Sequence, residues 1–207
     1  MAYKQWTSLD QVDHYARTRY RHWDQRWLDR REQSLVRELF TRYGLRGQVL
    51  DAPVGYGRFQ PLLAEFGAVH ALDFNFYAAL YQLKRLGLAR GSVTGAAEAL
   101  PFKGDSFDVV FSFRLLQHMH EPDERRAIFR EFCRVSRQWV VVSLYLMSLG
   151  HRLHRRLVKQ PSRITMLTRR EMLAEAEGAG LTLVRIASVL PGLHAHHVCL
   201  FSVGKAA

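Results

Sequence analysis

The sequence predicts an α/β fold: a doubly wound, mostly parallel sheet with helices on both faces, an antiparallel last strand and an N-terminal helical cover. Three observations carry this. From residue 48 onward, short apolar runs alternate with segments of helical period, the pattern of strands linked by crossover helices. Over residues 48–59 a strand end closes on Asp51, a Gly-x-Gly turn follows at Gly55 and Gly57, and a helical pattern starts near Arg58. Near the C-terminus two apolar runs are joined through Pro191 and Gly192, too short a link for a parallel crossover, so they pair as a hairpin.

Taken in order, Ser8 and Gln11 have the spacing of a capping box, which starts a short helix. A longer helix is expected over 21–43, with Trp27, Leu28, Leu35, Val36, Leu39, Phe40 and Tyr43 on one face and Gly44 as its stop. The aromatics Trp6, Tyr15, Tyr20, Trp23 and Trp27 fit two readings, core packing or the wall of a pocket. Strands follow near 48–52, 69–73, 91–94, 107–113, 138–144, 181–189 and 196–204, and helices near 57–66, 75–87, 122–135 and 168–178. Seven strands and no linker make one domain over 1–207: a cover at 1–45 and a core at 46–207, with a basic insertion at about 145–167.

Composition narrows the function. Hydrophobic residues at 48% and charged residues at 24% are those of an ordinary globular chain. Cys133 and Cys199 lie in apolar runs and read as buried free thiols in a reducing cytoplasm. The N-terminus has no apolar signal segment, and the longest nearly apolar run, 139–149, is too short to span a bilayer. The formal charge of +11 is unusual and predicts attraction to something acidic: nucleic acid, a membrane surface or an anionic substrate. Nothing in the sequence fixes an oligomeric state.

The glycine turn lets a ligand lie against bare backbone. A dinucleotide cradle would place a third glycine at Gln60, which disfavours nicotinamide. The stretch instead resembles the first motif of the class I S-adenosylmethionine (SAM)-dependent methyltransferases, of the small-molecule type and Rossmann-like in fold. Asp51, Gly55 and Gly57 fit that motif, and Pro53 stands where its first glycine usually does. Val69–Asp73 resembles the family's second strand, and Gly95–Phe102 followed by Asp105–Val110 resembles its next two motifs. The resemblance covers roughly residues 45–145. It implies SAM as cofactor and no metal. Asp51 and the loop amides would meet the amino-acid end of SAM and Asp73 the ribose diol, with Phe74, Ala97, Glu98 and Phe113 around the donor. Ala96 stands where the family usually has the Asp that meets adenine, so the Ala97 amide and Leu100 would hold the ring. In this family the N-terminal helices often cover the donor and wall the acceptor pocket.

After the fourth strand, 111–120 lacks the Pro-Pro motif of nucleobase N-methyltransferases and looks like the form found in enzymes acting on small molecules. His118 is the candidate general base; the competing reading has it fixing the loop by hydrogen bonds. Residues 145–170 hold seven bases and no acid, with Leu146, Leu149, Leu153 and Leu157 at helical spacing and His151 and His154 among them. That pattern predicts a basic amphipathic lid over 146–159, facing an anionic membrane or an anionic acceptor. His194, His196 and His197 match no metal spacing and are expected at the surface or a pocket rim. The resulting expectation is methyl transfer to an O or N atom of a small, anionic or lipid-linked acceptor, with nucleic acid bound only non-specifically. The address is the cytoplasm, with a peripheral position on the inner membrane face open. Two alternatives remain: an inactive relative serving as a binding partner, and an RNA methyltransferase.

Overall fold

The computed structural model describes residues 6–147, 164–190 and 195–204. Seven strands form one sheet: β1 (Gly47–Asp51), β2 (Gly67–Asp73), β3 (Gly91–Thr94), β4 (Phe107–Ser112), β5 (Ser136–Tyr145), β6 (Leu181–Ser188) and β7 (His196–Val203), in the order β3-β2-β1-β4-β5-β7-β6. The β1–β2, β1–β4, β2–β3 and β4–β5 pairings are parallel. β7 is antiparallel to both β5 and β6, and the short 189–195 link accounts for the β6–β7 pairing. The order reverses between β1 and β4, so the crevice at their carboxyl ends is where this architecture accepts a ligand.

The strand pattern explains why the sheet is covered on both sides. Side chains alternate across a strand, so Leu50, Val110, Val140 and Val142 enter one core with Ile128, Phe129 and Phe132. Val49, Val109, Phe111 and Val141 enter the other with Leu35, Val36, Leu39 and Phe40. Helix α5 (Pro122–Val135) supplies the first set of partners and α2 (Trp23–Arg42) the second. Cys133 and Cys199 are free thiols.

Four details depart from the sequence expectation. In α1 (Leu9–Thr18) Ser8 accepts from Gln11 N, but the Gln11 side chain reaches back to Thr7 N rather than closing the box on Ser8. Trp27 lies 51% exposed, outside the α2 core stripe. Helix α3 spans only Gln60–Leu63, because Gly55 (φ 56°) and Gly57 (φ 77°) hold the preceding chain in turns that no right-handed helix admits. The helix after β2, α4 (Phe76–Tyr81), passes into a π-helical turn at Gln82–Leu86 and stops at Gly87 (φ 64°). Helix α6 (Arg169–Glu177) has a complete capping box, Thr168 with Glu171. The 146–159 lid, apart from Leu146 and Met147, lies outside the described residues, as do His151, His154 and His194.

Candidate functional site

Two joined compartments open at the carboxyl edge of β1, β2 and β4. The first, about 160 Å³, is lined by Pro53, Gly55, Asp73, Phe74, Ala97 and Glu98, together with Trp6, Asn75, Ala96, Arg114, Leu115 and His118. Asp73 ends β2 with its carboxylate already oriented. Gly55 N donates to Oδ2 and Asn75 N to Oδ1, both at 2.8 Å, which leaves lone pairs for a further donor on each oxygen. Asn75 caps α4 through Ala78 N and donates from its side chain to Trp6 O, so one residue joins strand end, helix start and N-terminal cover. Leu72 and Leu115 give this compartment apolar faces. Leu100, expected to help hold the ring, is buried in the core instead and does not line the compartment; α5 fixes it there, Glu131 accepting from Leu100 N at 2.7 Å and Arg134 donating to Leu100 O at 3.0 Å.

The two glycines of the turn have different jobs. A Cβ on Gly55 would meet open space, so its backbone faces the compartment, whereas one on Gly57 would collide with Gln82 and Leu86. Gly57 lines neither compartment. It seats the loop on the π-helical turn, where Gln82 donates to Gly55 O at 2.9 Å.

The second compartment, about 420 Å³, is lined by Asp51, Phe113, Arg58, Arg19, Tyr20, Tyr15, Tyr56 and Phe59, and shares Trp6, Pro53, Gly55, Arg114 and His118 with the first. Beneath it lies an ionic lattice. Glu32 of α2, fully buried, pairs with Arg58, with Arg114 at 3.0 Å and with His196 Nδ1 at 3.0 Å. Arg58 also donates to Asp29 at 2.5 Å and lies 4.8 Å over the Tyr20 ring. Burial alone would raise the Glu32 carboxyl; the His196 hydrogen bond and the Arg58 and Arg114 charges outweigh it and hold it at about 2. Asp51 has no such cation. Burial pushes it up to about 8, against the Gln60 hydrogen bond and with help from the Asp73 charge.

His196, expected at the surface or a pocket rim, is fully buried at the start of β7, stacked on Tyr145 with ring centroids 4.8 Å apart. The β5–β7 pairing pulls it inward by aligning His196 with Tyr145. His197 is half-buried, its Nδ1 2.7 Å from Ala195 O. Among the described residues no group of His, Cys, Asp and Glu could hold a metal.

The loop after β4 carries the chemistry-bearing groups. Arg114 sits in the left-handed region (φ 63°), its N–H donating to Ser143 Oγ at 2.7 Å. A non-glycine residue held there costs of order 1–3 kcal/mol and persists only where its surroundings fix it. Here the Glu32 pairing does so. His118 lines both compartments. Burial, then the neighbouring His120 and Arg114, hold its pKa below the usual 6.5, so the ring is mainly neutral at pH 7. Buried Arg125 secures the loop by donating to Met119 O and His120 O, both at 3.0 Å, while pairing bidentately with Glu175.

The sequence-predicted Asp51, Pro53, Gly55, Asp73, Phe74, Ala97, Glu98, Phe113 and His118 are thus gathered at one edge. Sequence reading missed Glu32, Arg58, Arg114 and Arg19. The aromatic cluster divides: Trp6, Tyr15 and Tyr20 face the compartments, whereas Trp23 (78%) and Trp27 are exposed.

Residues 50–142 match the family model described as a methyltransferase domain. Solved structures share the whole architecture. Magnesium protoporphyrin IX methyltransferase from Synechocystis PCC 6803 with bound SAH (S-adenosylhomocysteine) aligns at TM-score 0.70 and 17% identity, over 87% of each chain. An S-adenosylmethionine-dependent methyltransferase from Clostridium acetobutylicum aligns at TM-score 0.69 and 10% identity, over 85% of this chain and 92% of that one. A chain from the complex of the Haloferax volcanii Trm112 methyltransferase activator aligns at TM-score 0.67 and 14% identity, over 94% of this chain and 98% of that one. No curated protein sequence matches.

Proposed function

We propose that this chain, which carries the class I SAM-dependent methyltransferase fold and the matching domain over residues 50–142, moves a methyl group from SAM to an O or N atom of a small, anionic or lipid-linked acceptor. The observation that carries this reading is the pair of joined compartments at the β1–β4 switch point, meeting at Gly55, Arg114 and His118. The residues fit the donor. Asp73 has free lone pairs for a diol, Leu72 and Leu115 give apolar faces, and Asp51 is a buried carboxyl awaiting a cation. Bound there, SAM supplies an electrophilic methyl group on a cationic sulfur. Asp51 and the Gly55 backbone would hold its amino-acid end, and Asp73 its ribose.

The chain's own residues do the rest. Trp6 and α1 cover the crevice and limit water. Neutral His118, at the junction, accepts the proton that an O–H or N–H acceptor must lose. The open pocket lined by side chains of the cover favours a small acceptor over a polynucleotide. A protein partner is a second reading, favoured by the likeness to a chain of the Haloferax activator complex. No helix among the described residues is long and apolar enough to cross a membrane.

Calorimetric titration with SAM and SAH tests the donor site. Asp73→Ala should weaken binding by roughly 10- to 150-fold, the loss of a charged hydrogen-bond acceptor worth about 1.5–3 kcal/mol. Ala96→Asp, whose new carboxyl would point into the first compartment, should bind equally or more tightly. Unchanged affinity in the first variant would overturn the assignment.

A further inference from the structure

The second compartment carries an excess of positive charge that its own acids do not cancel. Three arginines face it: Arg19, Arg58 and Arg114. The lattice pairs two carboxylates with them, Asp29 and Glu32. Asp51 does not offset them: in the free protein it is held mainly protonated, in the loaded protein it would pair with the donor's ammonium, and His196 shares Glu32 with the arginines. One positive charge is therefore left over. It falls on Arg19, which makes no ion pair among the described residues and packs 5.0 Å over the Tyr20 ring, and on the half of Arg114 turned from Glu32. Arg114 uses only Nη2 on that carboxylate, and its buried Nε has no partner.

Six aromatic side chains also line it: Trp6, Tyr15, Tyr20, Tyr56, Phe59 and Phe113. Trp6 and Tyr15 lie 5.6 Å apart between ring centroids, Tyr15 and Tyr56 5.5 Å, and Phe59 and Phe113 4.4 Å. Rings at this spacing line faces that a flat π-system stacks on or meets edge-on. Such a pocket pairs a planar apolar body with a single anionic end.

We propose that the acceptor is a small aromatic or similarly flat carboxylic acid, its ring against the aromatic wall of the compartment and its carboxylate on Arg19 and Arg114. The inference rests on the methyltransferase reading of the same site and gives its acceptor a chemical class. One surplus charge matches a monoanion; a phosphate monoester, nearly a dianion at neutral pH, would leave negative charge in a half-buried place. The guanidinium fork suits a planar carboxylate. Fixed at that end, the acceptor turns its reactive atom toward His118, at the junction with the first compartment.

The test is calorimetry on the SAH-loaded protein with three probes: benzoate, its neutral isostere benzamide, and acetate, which has the charge without the ring. Benzoate should bind at least tenfold more tightly than either of the others. Arg19→Gln should bring benzoate down to the benzamide level while SAH affinity stays within threefold. Arg114→Lys, which keeps the charge on the lattice but loses the fork, should weaken benzoate by about tenfold and leave benzamide unchanged. Equal binding of benzoate and benzamide overturns the proposal. So does an Arg19→Gln protein that loses SAH but keeps the benzoate preference, since Arg19 would then belong to the donor. If the wild-type protein binds no SAH, the methyltransferase reading fails. Benzoate against benzamide on the free protein then still decides whether the anionic ring site exists.

Discussion

At the scale of single residues, burial disfavours the charged form of all three titratable groups of the site, raising Asp51 and Asp73 and lowering His118. Asp73 is met by two backbone N–H groups, whereas Asp51 is buried with one long side-chain contact, Gln60 Nε2 at 3.4 Å. A folded-state pKa of about 8 against 3.8 for the free group means that the unfolded chain ionises first as pH rises. Asp51 therefore costs the free protein stability progressively between about pH 4 and pH 8, and nothing below that window. Asp51→Asn should make the free protein more stable at pH 8, by a few kcal/mol from a shift of this size, with the difference vanishing near pH 4. Chemical denaturation at the two pH values checks it, and the same variant should lose donor affinity. His118 has the opposite shift. Its folded pKa lies below 6.5, so it is a competent base from the mildly acidic range upward. Turnover with an acceptor that must lose a proton should rise with pH and level off below pH 6.5. His118→Gln should remove that inflection and slow the reaction by roughly 10²- to 10⁴-fold. A variant that keeps the wild-type profile would leave His118 only its loop-fixing role.

At the scale of elements, the structure separates what sequence pattern can show from what it cannot. Strands β1, β2 and β4 were legible because their apolar runs end on Asp51, Asp73 and the 111–120 loop, and the donor residues are neighbours of those ends in sequence. The ionic lattice was not legible. Arg114 and Glu32 are 82 residues apart, Arg58 and Glu32 26, and Arg125 and Glu175 50, so no local period relates the partners. On paper Glu32 is one more acid on a helix rich in Arg, Asp and Glu, and only the docking of α2 shows that it faces inward. The short α3 was misjudged for a related reason: glycine permits positive φ without announcing it, and Gly57 adopts it to seat on Gln82. The Arg125–Glu175 pair joins α5 to α6 and holds the carbonyls after His118. Removing one member strands a buried charge, so Glu175→Ala should destabilise the protein by about 3–5 kcal/mol in urea unfolding. Removing both with a well-packed apolar pair should cost far less. If the single variant costs under 1 kcal/mol, the loop is positioned by the 164–167 segment instead, through Thr165 N on Gln117 O and Thr165 Oγ1 beside His120 Nδ1.

At the scale of the whole molecule, the charge of +11 has to be reconciled with a site built for a small molecule. Much of the arginine near the site is internal to the fold. Arg58, Arg114 and Arg125 are bound to carboxylates or carbonyls and project little field outward. Among the described residues the exposed remainder is spread over α1, α2, the π-helical turn, α5 and α6. A scattered surface of this kind attracts a polyanion through its phosphates and through nothing else. RNA should therefore bind at low salt with no sequence preference, and log affinity should fall linearly with log salt until little binding is left at physiological ionic strength. Filter binding of two unrelated RNAs across a salt series measures both the slope and the preference. The single surplus charge of the second compartment adds little to this attraction, so saturating SAH should leave the salt slope nearly unchanged. Affinity that persists at physiological salt, differs between the two RNAs and responds to SAH would tie the polyanion to the site and move the acceptor from a small acid to RNA.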